Sequence, residues 1–98
     1  MSVFNVVRFK VKQGQDAAFL AAHDNGKAHW PGLLRGVMIK TGESGYCLIA
    51  EWPNRDVLVA ARPAMIQTLD SFRAVLEDMG EGRGITDAVS GEVVLALN

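Results

Sequence analysis

Residues 33–52 constrain the fold more than any other stretch of the chain. Leu33 to Lys40 and Tyr46 to Trp52 are two strand-like runs joined by the polar, glycine-containing connector Thr41-Gly42-Glu43-Ser44-Gly45, which predicts a β-hairpin. Both runs are apolar on both alternating faces, more than a sheet with one wet face needs, so something must cover each side. Trp52-Pro53-Asn54 closes the second strand, because proline cannot extend a ladder and Asn54 can cap a following helix.

The flanking segments complete a repeating plan. Val3 to Lys12 alternates, with Val3, Asn5, Val7, Phe9 and Val11 on one face and Phe4, Val6, Arg8, Lys10 and Lys12 on the other. Gly14 and Asp16 mark a turn and the start of a helix running to His23, with Phe19, Ala22, His23 and Gly26 on one stripe. Trp30-Pro31-Gly32 is a breaker cluster that delivers the chain into the hairpin. After Asn54 comes a helical segment expected to break near Arg62-Pro63. Ile66, Leu69, Phe72, Arg73, Leu76 and Met79 then follow helical spacing, and residues 80–84, three of them glycine, end that helix. Ala88 to Leu97 alternates again as a fourth strand. The order is βαββαβ, the ferredoxin-like α+β unit: one domain over residues 1–98, with a four-stranded antiparallel sheet and both helices on one face.

Composition argues for a second copy. The hydrophobic fraction of 49% is high for 98 residues, and a small monomer has too little interior to bury that much apolar surface. The sheet face without helices would carry Phe4, Val6, Cys47, Ile49, Val94 and Ala96, so a homodimer packed sheet against sheet is expected. A net charge of −1 provides no field that would attract nucleic acid or an anionic membrane. The single cysteine, Cys47, suits a reducing compartment, and no apolar run reaches transmembrane length, so the chain reads as cytoplasmic.

The strand Asn5 to Val11, the Lys12-Gln13-Gly14 turn, Pro31-Gly32-Leu33-Leu34-Arg35-Gly36 and Tyr46-Cys47-Leu48-Ile49-Ala50-Glu51-Trp52-Pro53-Asn54 resemble the antibiotic biosynthesis monooxygenase family of dimeric α/β barrels. The resemblance covers nearly the whole chain and rests on scaffold features, so it implies the fold more firmly than an activity. It implies either oxidation of phenols to quinones by dioxygen without a cofactor, or haem degradation. Haem-degrading members use a first-strand asparagine with a tryptophan and a histidine on the second helix. The two helix positions fall here near Ala61 and Ser71, so the haem ligand is missing and no cofactor is expected.

Cofactor-free oxygenation needs a dry aromatic pocket, a base for an activated phenol and donors for the resulting oxyanion. Asn5, Arg35, Tyr46 and Trp52 each lie on the more apolar parity of their strand and would supply donors and walls on one face. His23, on the inward stripe of the first helix, is the base that titrates near neutral pH, and Arg73 would pair with a substrate anion. The catalytic set is then His23, Arg35 and Asn5, with Tyr46, Trp52 and Arg73 binding a small aromatic molecule. The same residues also read as core and ordinary ion pairs, which would make the chain a non-catalytic homodimer that binds a small ligand or serves as an accessory subunit. His23, His29 and Asp24 do not make a metal site, since six-residue spacing puts the histidines on different helix faces. The glycine-rich residues 80–84 lead from helix to strand, the reverse of a phosphate loop, and read as a turn. RNA binding is disfavoured, because Leu48 stands where a stacking aromatic is needed and Glu51 where a base would lie.

Overall fold

The computed structural model describes residues 2–24, 29–80 and 84–98. Its elements are β1 (Val3–Lys10), α1 (Asp16–Ala21), β2 (Arg35–Lys40), β3 (Gly45–Trp52), α2 (Arg55–Phe72) and β4 (Asp87–Glu92). The strands form one antiparallel sheet in the order β2-β3-β1-β4, which is the expected ferredoxin-like topology. Gly26 and residues 81–83, named in the sequence reading, lie outside the described residues.

Register decides which side chains meet. Val3 pairs with Trp52, Asn5 with Ala50, Val7 with Leu48 and Phe9 with Tyr46, and directly opposed residues in antiparallel strands share a face. That face is covered by Phe19 of α1 and by Leu58, Ala61 and Phe72 of α2, which complete a single buried cluster with it. Each large apolar side chain fully buried there contributes about 1.5–3 kcal/mol. The hairpin starts from a tight turn in which Leu33 N–H donates to the Trp30 carbonyl over 3.3 Å. Gly32 adopts φ +82 in this turn, and a Cβ there would collide with the Val57 side chain, so no larger residue fits.

Four expectations are corrected. The first helix stops at Ala21 rather than His23: the His23 and Asp24 amides donate to Leu20 and Ala21, a tightened final turn, and the His23 ring takes the Phe19 carbonyl that a continuing helix would have used. Pro63 does not break α2, which runs unbroken from Arg55 to Phe72. Pro63 and Val59 both sit on the exposed side, where water can satisfy the carbonyl that proline leaves without a donor. The buried stripe of α2 is Leu58, Ala61, Thr68 and Phe72, and Ile66 is 53% exposed. Leu76 and Met79 lie beyond the helix, because a 3-10 turn over Arg73–Val75 redirects the chain and Leu76 bridges to Val11.

The fourth correction concerns the last strand, which ends at Glu92. Glu92 pairs with Val3 at the start of β1, and one further bond, from Val93 N–H to the Ser2 carbonyl at 2.9 Å, closes the ladder. Val94 and Leu97 are 88% and 91% exposed. Ala88, Ser90 and Glu92 pair with Val7, Asn5 and Val3 and so face the helices. The expected parity of this strand is therefore inverted, and Val94 and Ala96 lie beyond it. Val89, with Phe4, Val6, Val37, Ile39 and Ile49, makes the open apolar face. The Asn54 cap is as expected: its side chain accepts from Val57 N–H at 2.9 Å. Among the described residues, no helix is long and apolar enough to cross a membrane.

Candidate active site

A cavity of about 210 Å³ lies between the sheet and α2. Its floor is Asn5, Val7 and Phe9 of β1 with Leu48 of β3, its roof is Met65, Leu69 and Phe72 of α2, and His23 and Trp30 also line it. An apolar cavity of about 150 Å³ holds a benzene ring, so this one suits a small fused aromatic. The surrounding framework is stiff. Phe9, Phe19 and Phe72 meet edge to face at centroid distances of 5.2–5.7 Å, and the His23 ring sits 4.5 Å from Phe72.

Asn5 is buried, and its Oδ1 accepts a 2.7 Å hydrogen bond from Trp52 Nε1. The indole can only donate, so this contact fixes the amide with its NH₂ as the remaining polar group, a donor at the cavity floor. Trp52 itself is fully buried and does not line the cavity; it positions Asn5.

His23 approaches the Phe19 carbonyl through Nδ1 at 3.0 Å. A carbonyl only accepts, so Nδ1 carries the hydrogen and Nε2 keeps its lone pair. Burial pushes the imidazole below its ordinary value, against a smaller opposing effect from the Phe19 hydrogen bond. The cavity therefore contains a neutral base at neutral pH.

The other expected site residues go elsewhere. Arg35 pairs in register with Glu51, while Tyr46 pairs with Lys40. Arg35 is thus on the open face, opposite Asn5, Tyr46 and Trp52, and the expectation of one shared face fails for it. Parity within one strand does not fix parity across a hairpin; the length of the connector does. Tyr46 donates to Asp16 Oδ2 at 2.5 Å, and Lys40 Nζ lies 3.8 Å from the same oxygen. The Tyr46 hydrogen bond holds the Asp16 carboxyl below its usual range and, reciprocally, raises the tyrosine. This cluster ties α1 to the hairpin and lies outside the cavity. Arg73 is exposed and forks onto Asp70 at 2.8 Å, away from the cavity.

Trp30, Thr68 and Arg62 are among the cavity residues that the sequence pattern does not single out as part of a site. Trp30, taken for part of a breaker, is buried, and its Nε1 donates to Thr68 Oγ1 at 3.0 Å. Thr68 in turn donates to the Ala64 carbonyl at 3.1 Å. Arg62 stands at the rim; the available signal was a lone cation in the apolar helical run 57–66. Haem does not fit the second helix, since α2 has no histidine, Ala61 is core and Ser71 is engaged with the Thr68 carbonyl. Among the described residues, no three His, Cys, Asp or Glu side chains converge.

No protein-family model matches the chain, and no curated protein does. Solved structures do match. A candidate antibiotic biosynthesis monooxygenase from Chloroflexus aurantiacus superposes with TM-score 0.73 at 14% identity, covering 100% of this chain and 98% of that one. SnoaB, a cofactor-independent oxygenase from Streptomyces nogalater, gives 0.74 at 21%, covering 98% and 96%. A further candidate antibiotic biosynthesis monooxygenase, from Nitrosomonas europaea, gives 0.76 at 15%, covering 95% and 90%. The chain has the fold of the antibiotic biosynthesis monooxygenases of known structure.

Proposed function

We propose that the protein is a cofactor-independent monooxygenase that converts an electron-rich phenol to a quinone with dioxygen. The observation that carries this reading is a neutral imidazole and an amide donor fixed by an indole in one aromatic-walled cavity. The likeness to SnoaB, itself a cofactor-independent oxygenase, supports it.

In this scheme His23 Nε2 takes the phenolic proton and the Asn5 NH₂ stabilises the phenolate oxygen. The phenolate passes electron density to dioxygen, which bonds at the para carbon. That carbon then loses its hydrogen as a proton while the O–O bond breaks. One oxygen atom stays as the new carbonyl and the other leaves as water, so the substrate itself supplies all the electrons. The apolar walls exclude water and lower the local dielectric, which strengthens both contacts.

We also infer that the chain works in the cytoplasm as a homodimer packed through its open sheet face, where Ile39 and Val89 are 43% and 66% exposed.

The test is oxygen uptake by chelator-treated protein with α-naphthol and its hydroxy and methoxy derivatives. The expected result is consumption above the protein-free rate, with one dioxygen per quinone. Binding of these phenols without uptake would instead establish a non-catalytic ligand-binding protein of the same fold.

A further inference from the structure

The proposed reaction leaves one charged group at the cavity unused. Arg62 lines the main cavity and also a second one of about 180 Å³, lined by Leu58, Val89 and Ser90. The two cavities share Asn5, Arg62, Met65 and Ala88, so they form one groove between α2 and strands β1 and β4, with Arg62 and Asn5 at its waist. Among the described residues, no carboxylate lines either cavity.

The guanidinium also has no partner on its own helix. The positions that could reach it, three and four residues away on either side, are Leu58, Val59, Met65 and Ile66, all apolar. The acid near the end of α2, Asp70, is taken by Arg73. Among the described residues, no ion pair involves Arg62. By contrast, three lysine or arginine side chains elsewhere do hold carboxylates.

We propose that Arg62 selects the ligand by binding a carboxylate on the aromatic ring system, so that the substrate is an aromatic hydroxy acid. This inference rests on the cavity being the ligand site. The guanidinium fork matches the two oxygens of a carboxylate. A single cation balances a single negative charge, whereas a phosphate would need more. Asn5, which lines both cavities with it, offers only hydrogens, because its oxygen is held by Trp52, so the two polar side chains at the waist of the groove both present donors. The ring then lies in the apolar cavity with its phenolic oxygen at Asn5 and its carboxylate at the rim, where the guanidinium remains partly hydrated.

The test compares α-naphthol ortho-carboxylate with its neutral methyl ester, titrated calorimetrically into the wild-type protein and into Arg62→Gln. The acid is expected to bind the wild-type protein about ten-fold tighter than the ester. In Arg62→Gln that ratio falls to near one with the ester affinity unchanged, and Arg62→Lys restores part of it. Thermal melts of the variants should match the wild type, since Arg62 is exposed. Equal binding of acid and ester to the wild-type protein, or an acid affinity that survives Arg62→Gln, overturns the inference and leaves the cavity reading intact. Failure of both compounds to bind removes the cavity reading and this inference with it. Binding is read without turnover, so neither result depends on the oxygen chemistry.

Discussion

Replacing Trp52 with alanine is expected to destabilise the protein by about 3–5 kcal/mol, the range for deleting a large buried aromatic. Trp52 heads the largest fully buried side chains, and it packs where β1 and β3 meet the helices. Alanine would leave a void that the paired strands cannot close, and would also strip Asn5 Oδ1 of its partner. The two losses can be separated. Trp52→Phe keeps an aromatic ring in the core but removes the N–H together with part of the indole, so it should cost less than alanine, with about 1–3 kcal/mol of the loss coming from the buried acceptor left unpaired. Because domains of this size are stable by about 5–15 kcal/mol in total, the alanine variant should lose a large share of its stability. Urea unfolding measures both effects as a lowered midpoint at constant slope. A loss below about 1 kcal/mol for Trp52→Ala would contradict the packing described here. The phenylalanine variant should also lose activity while folded, since the Trp52 N–H is the partner that orients the Asn5 amide.

The second large effect is expected at His23. His23→Phe keeps a ring against Phe9, Phe19 and Phe72 and removes the base. If Nε2 takes the phenolic proton, kcat should fall by about 10²–10⁴ with little change in melting temperature. The pH dependence supplies a second reading of the same group. Burial lowers the folded-state pKa of His23 below its ordinary 6.5, so the unfolded chain binds more protons between those two values. The stability contributed by this neutral histidine is therefore present in full above pH 6.5 and is lost as pH falls through the folded pKa. By the same reasoning, the acid limb of kcat/KM should lie below the usual histidine range and should be absent from His23→Phe. An acid limb unchanged in the variant would assign the base elsewhere.

The topology was legible because each strand carries its own alternation and each turn its own breaker: Gly14 before α1, Gly32 before β2, and Asn54 capping α2. What was not legible depended on distance in space. The face of Arg35 is set by the connector that pairs Lys40 with Tyr46, a register no single strand encodes. The shorter β4 depends on where β1 begins, and Leu76 leaves its helical pattern because Val11 is there to pair with it. Within the site, Asn5 and His23 were identifiable as polar residues on apolar faces. Trp52 was identifiable as a residue but not as the partner of Asn5, forty-seven positions away. Trp30 was hidden by its Pro-Gly neighbours, which signal a turn whether or not the preceding side chain is buried.

The central claim, that this cavity transfers an oxygen atom from dioxygen to a phenol, is tested most directly by isotope labelling. Chelator-treated protein is incubated with α-naphthol or an accepted derivative under oxygen-18 gas in ordinary water, and the quinone is analysed at early times by mass spectrometry. One heavy oxygen is expected in each new quinone carbonyl, with no such product from Asn5→Ala or from an anaerobic control. Quinone that carries only ordinary oxygen, formed at the same rate by Asn5→Ala, would contradict it.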